Sequence, residues 1–107
     1  MRQISVGDLA AMMRSGKAVY LVDVREPFEH ELAALPGSLL LPLGEIAAQA
    51  EALEPPEDAL VVAYCHHGIR SLSGAAILRE KLGREAVSLA GGIDAWSREI
   101  DPTIPRY

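Results

Sequence analysis

Apolar residues fall into two rhythms along this chain. Nearly unbroken runs, AVYLVDV at Ala18–Val24 and ALVVAY at Ala59–Tyr64, are rich in β-branched residues. Runs of that kind read as strands buried on both faces, which belong to parallel sheets. Leu39–Leu41 and Ala86–Leu89 are shorter runs of the same type. Between them, apolar positions recur at helical spacing: Leu9, Met12 and Met13 within residues 6–15, then Leu43, Ile46, Ala47, Ala50 and Leu53. Leu72, Ala75, Leu78 and Leu82 mark a further helix, and Ile93, Trp96 and Ile100 the last. The punctuation agrees. Ser5 followed by Asp8 caps the first helix, Gly16 closes it, Pro55-Pro56 stops the second, and Gly83 caps the third. Pro27–Glu31 predicts a short helical turn, Leu35-Pro36-Gly37-Ser38 a tight turn, and Gly91-Gly92 the entry to the last helix. The tail DPTIPRY is pinned by prolines and is expected to pack back on the surface. Strands alternating with helices imply a parallel α/β sheet with helices on both faces.

Composition narrows the class. The 107 residues suit one domain, taken as 1–107, with a single core. A net charge of −5, with ten basic residues scattered along the chain, argues against a nucleic-acid partner. The stretch MRQISVGDLAAMMRSGK lacks the apolar core of a signal peptide, and no run approaches the ~18 apolar residues of a membrane span. One cysteine makes no internal disulfide. The expectation is a cytoplasmic protein with neither nucleic-acid nor membrane partners.

That cysteine sits in AYCHHGIRSLSG, Ala63–Gly74, where a strand gives way to a helix beginning around Ser71. Ligands of parallel α/β sheets bind at the C-terminal strand ends. A short loop bent over a helix start turns its N–H groups inward and favours negative charge, including that of a thiolate. Arg70 adds a fixed positive charge. Three other readings compete. A lone cysteine ending an apolar strand is often a small buried hydrophobe, but the polar, tight HHG loop argues against an inert core position. A zinc site from Cys65, His66 and His67 is disfavoured, because adjacent side chains rarely converge on one ion and no second ligand pair is visible. A protease-like Cys–His pair usually meets from distant segments. His66 and His67 are therefore expected to line the rim or simply to be solvated.

Four stretches in order, LVDVREPFEHE, LPGSLLLPL, YCHHGIRS and LAGGIDAW, resemble a single-domain rhodanese, the thiosulfate sulfurtransferase family. The resemblance covers nearly the whole chain, and GGIDAWSREIDPTIPRY is similar to the end of rhodanese domains fused to sulfur-carrier activating enzymes. It implies a rhodanese-like α/β fold around a five-stranded parallel sheet. It implies that Cys65 is catalytic and that His66, His67, Gly68, Ile69 and Arg70 form the substrate-binding cradle, with no metal and no cofactor. One departure stands before the LPG turn, where the family often has histidine and this chain has Ala34. Related phosphatases of the same fold carry one residue more between cysteine and arginine. The six-residue loop Cys65–Arg70 is the tighter ring, suited to a single sulfur atom.

The expected reaction is a two-step sulfur transfer. Cys65 takes the outer sulfur of thiosulfate or a persulfide, and cyanide or a thiol removes it. The partners are thus a small-molecule donor and acceptor; the alternative is a persulfide carrier serving a sulfur-relay protein. Arg70 either binds the donor or braces the loop. Asp23 and Arg25 are expected to form a structural ion pair, Trp96 to lie in the core, and Glu26 and Glu29 to form a solvated face.

Overall fold

The computed structural model describes residues 2–107; Met1, and with it the first position of the expected 1–107 domain, lies outside them. The elements in chain order are β1 (Gln3–Ile4), α1 (Val6–Arg14), β2 (Val19–Asp23), α2 (Pro27–Leu32) and β3 (Leu39–Leu40). They continue with α3 (Leu43–Gln49), a 3-10 turn at Ala50–Ala52, β4 (Leu60–Tyr64), α4 (Arg70–Leu82), β5 (Ala86–Leu89) and α5 (Gly92–Glu99). All five strands are parallel, in the order β1-β5-β4-β2-β3. The expected five-stranded α/β sheet is present, with ALVVAY as its central strand.

The predicted stops act as written. Ser5 Oγ accepts from the Asp8 amide at 3.0 Å, filling one of the donors a helix start leaves orphaned. Gly83 closes α4 in the left-handed conformation. The helix expected to run on to Leu53 tightens instead into the 3-10 turn after Gln49, before Pro55-Pro56. Strand β1 carries no alternating or continuous apolar run. Only two residues long, it is held by its pairing of Gln3 with Ser88 and Ile4 with Leu89.

Side chains alternate across β4, which divides the core. Val62 and Tyr64 face the side covered by Leu9 of α1 and by Ile93 and Trp96 of α5. Val61, Ala63 and, one step past the strand, Cys65 face the side covered by Ile46 of α3 and by Ala75 and Leu78 of α4. Trp96 is a core residue, as its phase predicted. The tail also docks in the first core: Ile104 is buried and its carbonyl accepts from Ser97 Oγ at 2.6 Å.

One buried polar cluster binds these layers together. Asp23, at the end of β2, pairs with Tyr64, at the end of β4. Its carboxylate takes two bonds from the Arg25 guanidinium, at 2.8 and 2.7 Å. Arg25 also donates to the Ala33 carbonyl at 2.6 Å and to the Tyr107 hydroxyl at 2.6 Å. Both charged side chains are inaccessible to water, so the structural pair expected for Asp23 and Arg25 is what the fold contains. Tyr64 in turn accepts from the Leu35 amide at 3.1 Å and bonds Ser38 Oγ at 2.8 Å, pinning the LPGS turn to the sheet. Removing one partner of a buried pair leaves an uncompensated charge. Arg25→Ala should therefore lower the unfolding free energy by about 3–5 kcal/mol, read as a fall in the urea midpoint.

Candidate active site

The loops after β2, β4 and β5 meet at one end of the sheet, and Cys65 stands at their centre. Its thiol lies on the face of β4 that α4 covers, directly beneath the start of that helix. The amides of Gly68 and Ser71 donate to Sγ at 3.2 and 3.3 Å. The thiol itself lies 3.4 Å from Ser71 Oγ, and Ser71 Oγ is 2.7 Å from Ser88 Oγ on β5. When the thiol loses its proton, Ser71 can turn its hydroxyl toward the sulfur while Ser88 donates to Ser71. A buried anionic sulfur thus meets two main-chain donors and a hydroxyl relay, with no cation bonded to it among the described residues.

The loop owes its shape to a close approach of backbone to backbone. The carbonyls of Cys65 and His66 accept from the amides of Ile93 and Asp94, the first turn of α5, at 2.9 and 3.0 Å. Gly92 makes room for that contact: it has φ +60°, and a Cβ there would fall 2.4 Å from the Cys65 carbonyl oxygen. Gly68 has φ +94° and backs onto the Gly91 nitrogen, which a Cβ would approach to 2.9 Å. At both glycines the contact requires backbone without a side chain.

The residues of the loop divide into two sets. Gly68 and Ser71 face the sulfur with their amides. His66 is half-buried and stacks on Tyr107, with ring centroids 3.9 Å apart and planes 8° from parallel. Burial, then the neighbouring His67, lowers the His66 pKa. His67 is exposed, and Ile69 is 74% exposed. The two histidines lie on the rim. Among the described residues, the ligand atoms of His66, His67 and Asp94 come within 4.8 Å of one another, and Cys65 is not part of that group. The Asp94 carboxylate is already bonded by Arg98 at 2.9 Å and Arg106 at 3.2 Å.

Arg70 is held by a partner that the sequence reading placed elsewhere. Glu29, expected on a solvated face, is 5% exposed. It grips Arg70 through two bonds of 2.7 and 2.9 Å. Proline at the start of α2 and a reciprocal cap between Glu26 and Glu29 turn the Glu29 side chain back toward the sheet. Tyr107 completes the cluster, donating to Glu29 Oε2 at 2.7 Å while accepting from Arg25. Burial above all, with the Glu29 carboxylate beside it, pushes the Tyr107 phenol up to about 12, so it remains a donor. Arg70 holds the Glu29 carboxyl down to about 2 against the cost of burial, with help from Tyr107. In this structure the Arg70 guanidinium is turned to Glu29.

Ser71, Ser88, Glu29, Gly92 and Tyr107 were not among the expected site residues. The spacing Glu26-x-x-Glu29 behind Pro27 was the one local signal for Glu29, as a capping box. Tyr107 had none beyond a proline-pinned tail.

The chain matches the model of the rhodanese-like domain over residues 5–99. It belongs to the rhodanese family. It is 32% identical over 104 residues to the probable adenylyltransferase/sulfurtransferase MoeZ of Mycobacterium tuberculosis, covering 97% of this chain but 26% of that protein. The chain thus spans about a quarter of the length of that curated relative. Its match to a sulfurtransferase of Allochromatium vinosum is 33% over 102 residues and covers 95% and 94% of the two chains. Among solved structures, a rhodanese-related protein of Thermoplasma volcanium superposes with a TM-score of 0.81 at 31% identity, over the full length of both chains. No helix among the described residues of this rhodanese domain is long and apolar enough to cross a membrane.

Two measurements check this geometry. Gly92→Ala should cost about 2–4 kcal/mol of stability, because backbone rather than a movable side chain meets the new methyl. Glu29 is depressed to about 2 from an ordinary 4.5. Its contribution is therefore complete above about pH 4.5 and lost as pH falls through about 2. Denaturant titrations should show wild type and Glu29→Gln converging in stability between ~pH 5 and ~pH 2.

Proposed function

We propose that this rhodanese domain moves a sulfane sulfur through a persulfide on Cys65. The Cys65 thiolate attacks the outer sulfur of the donor. With thiosulfate, the S–S bond to the sulfonate breaks, sulfite leaves with the bonding pair, and Cys65–S–S⁻ remains. With an organic persulfide R–S–SH, the leaving group is R–S⁻. A thiophilic acceptor such as cyanide then takes the outer sulfur as thiocyanate and restores the thiolate. Sulfite or a thiolate supplies its own leaving-group stability, so no acid is required at either step.

The observation that carries this reading is the pair of amides on Sγ, from Gly68 at 3.2 Å and Ser71 at 3.3 Å. They are fixed before any donor arrives, which is the arrangement that stabilises charge on sulfur without reorganisation. The six-residue span from Cys65 to Arg70 supports a one-sulfur ring over a phosphate ring. A second reading, a persulfide carrier in a protein sulfur relay, is favoured by the similarity to MoeZ, named as an adenylyltransferase and sulfurtransferase. It uses the same Cys65 chemistry with a protein as donor or acceptor.

The test is intact mass after incubating the reduced protein with excess thiosulfate or with an organic persulfide. Wild type should gain one sulfur atom, and cyanide should remove it. Cys65→Ser should gain none. A gain that persists in Cys65→Ser, or no gain from either donor, would sink the proposal.

A further inference from the structure

We infer that Glu29 is a specificity-determining residue: by cancelling the charge of Arg70 at the mouth of the Cys65 loop, it turns the site away from dianionic thiosulfate and toward an organic persulfide donor. This deepens the sulfur-transfer reading above and rests on it.

The cations around the loop set the donor that can approach, and the arginines there each have a carboxylate partner. Arg25 is inaccessible to water and paired with Asp23. Arg70, whose side chain is 38% exposed, gives two donors to Glu29. Arg98 and Arg106 share the Asp94 carboxylate on the outer rim, where both are well exposed and screened by solvent. Among the described arginines, Arg70 is the one on the Cys65 loop itself that a donor's oxyanion could recruit. To do so it must break a bidentate bond to a buried carboxylate that Tyr107 also holds. Glu29 would then stand buried and unpaired, an expensive arrangement.

The sulfur-facing amides of Gly68 and Ser71 can hold one negative sulfur, and the arginine of the loop is engaged by Glu29 rather than free to offset the sulfonate of thiosulfate. An organic persulfide brings a smaller charge and an apolar stem. The chain neighbours of the ion pair suit such a stem: Phe28, next to Glu29, is 62% exposed, and Ile69, next to Arg70, is 74% exposed. With that donor, Cys65–S⁻ and R–S–SH give Cys65–S–SH and R–S⁻. One S–S bond forms as one breaks, and no outside oxidant or reductant enters.

Glu29→Gln keeps the side-chain shape and adds one positive charge to the mouth. Steady-state kinetics should show its KM for thiosulfate falling ~10-fold, with kcat moving much less, while loading by a monoanionic organic persulfide gains only ~3-fold. The unequal response follows because a dianion feels the added charge twice as strongly as a monoanion. Glu29→Gln/Arg70→Gln restores the mouth's neutrality and should return the thiosulfate KM to within ~2-fold of wild type. A loosened loop would show neither the dependence on donor charge nor the restoration. If Glu29→Gln does not fold, the wild type carries the test alone. Its thiosulfate loading rate should stay flat or rise with added salt, whereas a recruitable Arg70 would make it fall. An unchanged thiosulfate KM in Glu29→Gln, an equal gain for both donors, or a loading rate that falls with salt overturns the inference and leaves sulfur transfer standing. Absence of a Cys65 persulfide with both donors overturns both.

Discussion

A guanidinium shut away from water has to find a partner for its donors, and Arg25 finds them in parts of the chain that would otherwise be independent. It bonds the end of β2 through Asp23, the stretch after α2 through the Ala33 carbonyl, and the tail through Tyr107. Its planar head lies 5.4 Å from the centroid of the Tyr64 ring and 5.5 Å from that of Tyr107, within the range of cation–π attraction. Such a group weakly rewards folding in total but strongly penalises any arrangement that leaves one partner out. The mouth of the Cys65 loop is built outward from this cluster: Tyr107 reaches Glu29, and Glu29 holds Arg70.

The cysteine loop is gripped from both sides of the sheet. From one face, α4 begins immediately after the loop and aims the Ser71 amide at the sulfur. From the other, α5 enters beside it and bonds two of its carbonyls. The helices belong to different hydrophobic cores, so a shift in either core is felt at the sulfur. The serine pair Ser71–Ser88 ties the first of these supports to β5. Every buried polar side-chain atom among the described residues has a partner, which leaves the site little freedom to relax into another shape.

What the chain disclosed before its structure was known follows from the range of the forces concerned. Strands β2 and β4, helix α4 and the Gly83 cap are governed by patterns within a few residues, and they appear where the periodicity puts them. The placement of Cys65 at a strand end, under a helix start, was legible for the same reason. Strand β1 was not, because two residues have no period and Gln3–Ile4 is a strand only by pairing with β5. Glu29 was misplaced because a glutamate on a short helix is ordinarily solvated; Arg70, 41 positions away, and Tyr107, 78 away, hold it inside. Tyr107 depends on a longer reach still, 82 positions from Arg25. Local spacing carries no trace of such meetings.

The sulfur of Cys65 is bonded mainly by peptide groups, and that has a consequence for how a domain of this kind can diversify. Peptide amides are the same whatever side chain they carry, so the grip on sulfur does not depend on the identity of His66, His67 or Ile69. Those side chains point to the rim and to solvent. The amides on sulfur and the exposed side chains thus lie on opposite faces of the one stretch Cys65–Ser71. The outer face can change its side chains while the grip on sulfur stays in place, as in a lock whose key changes while its bolt does not.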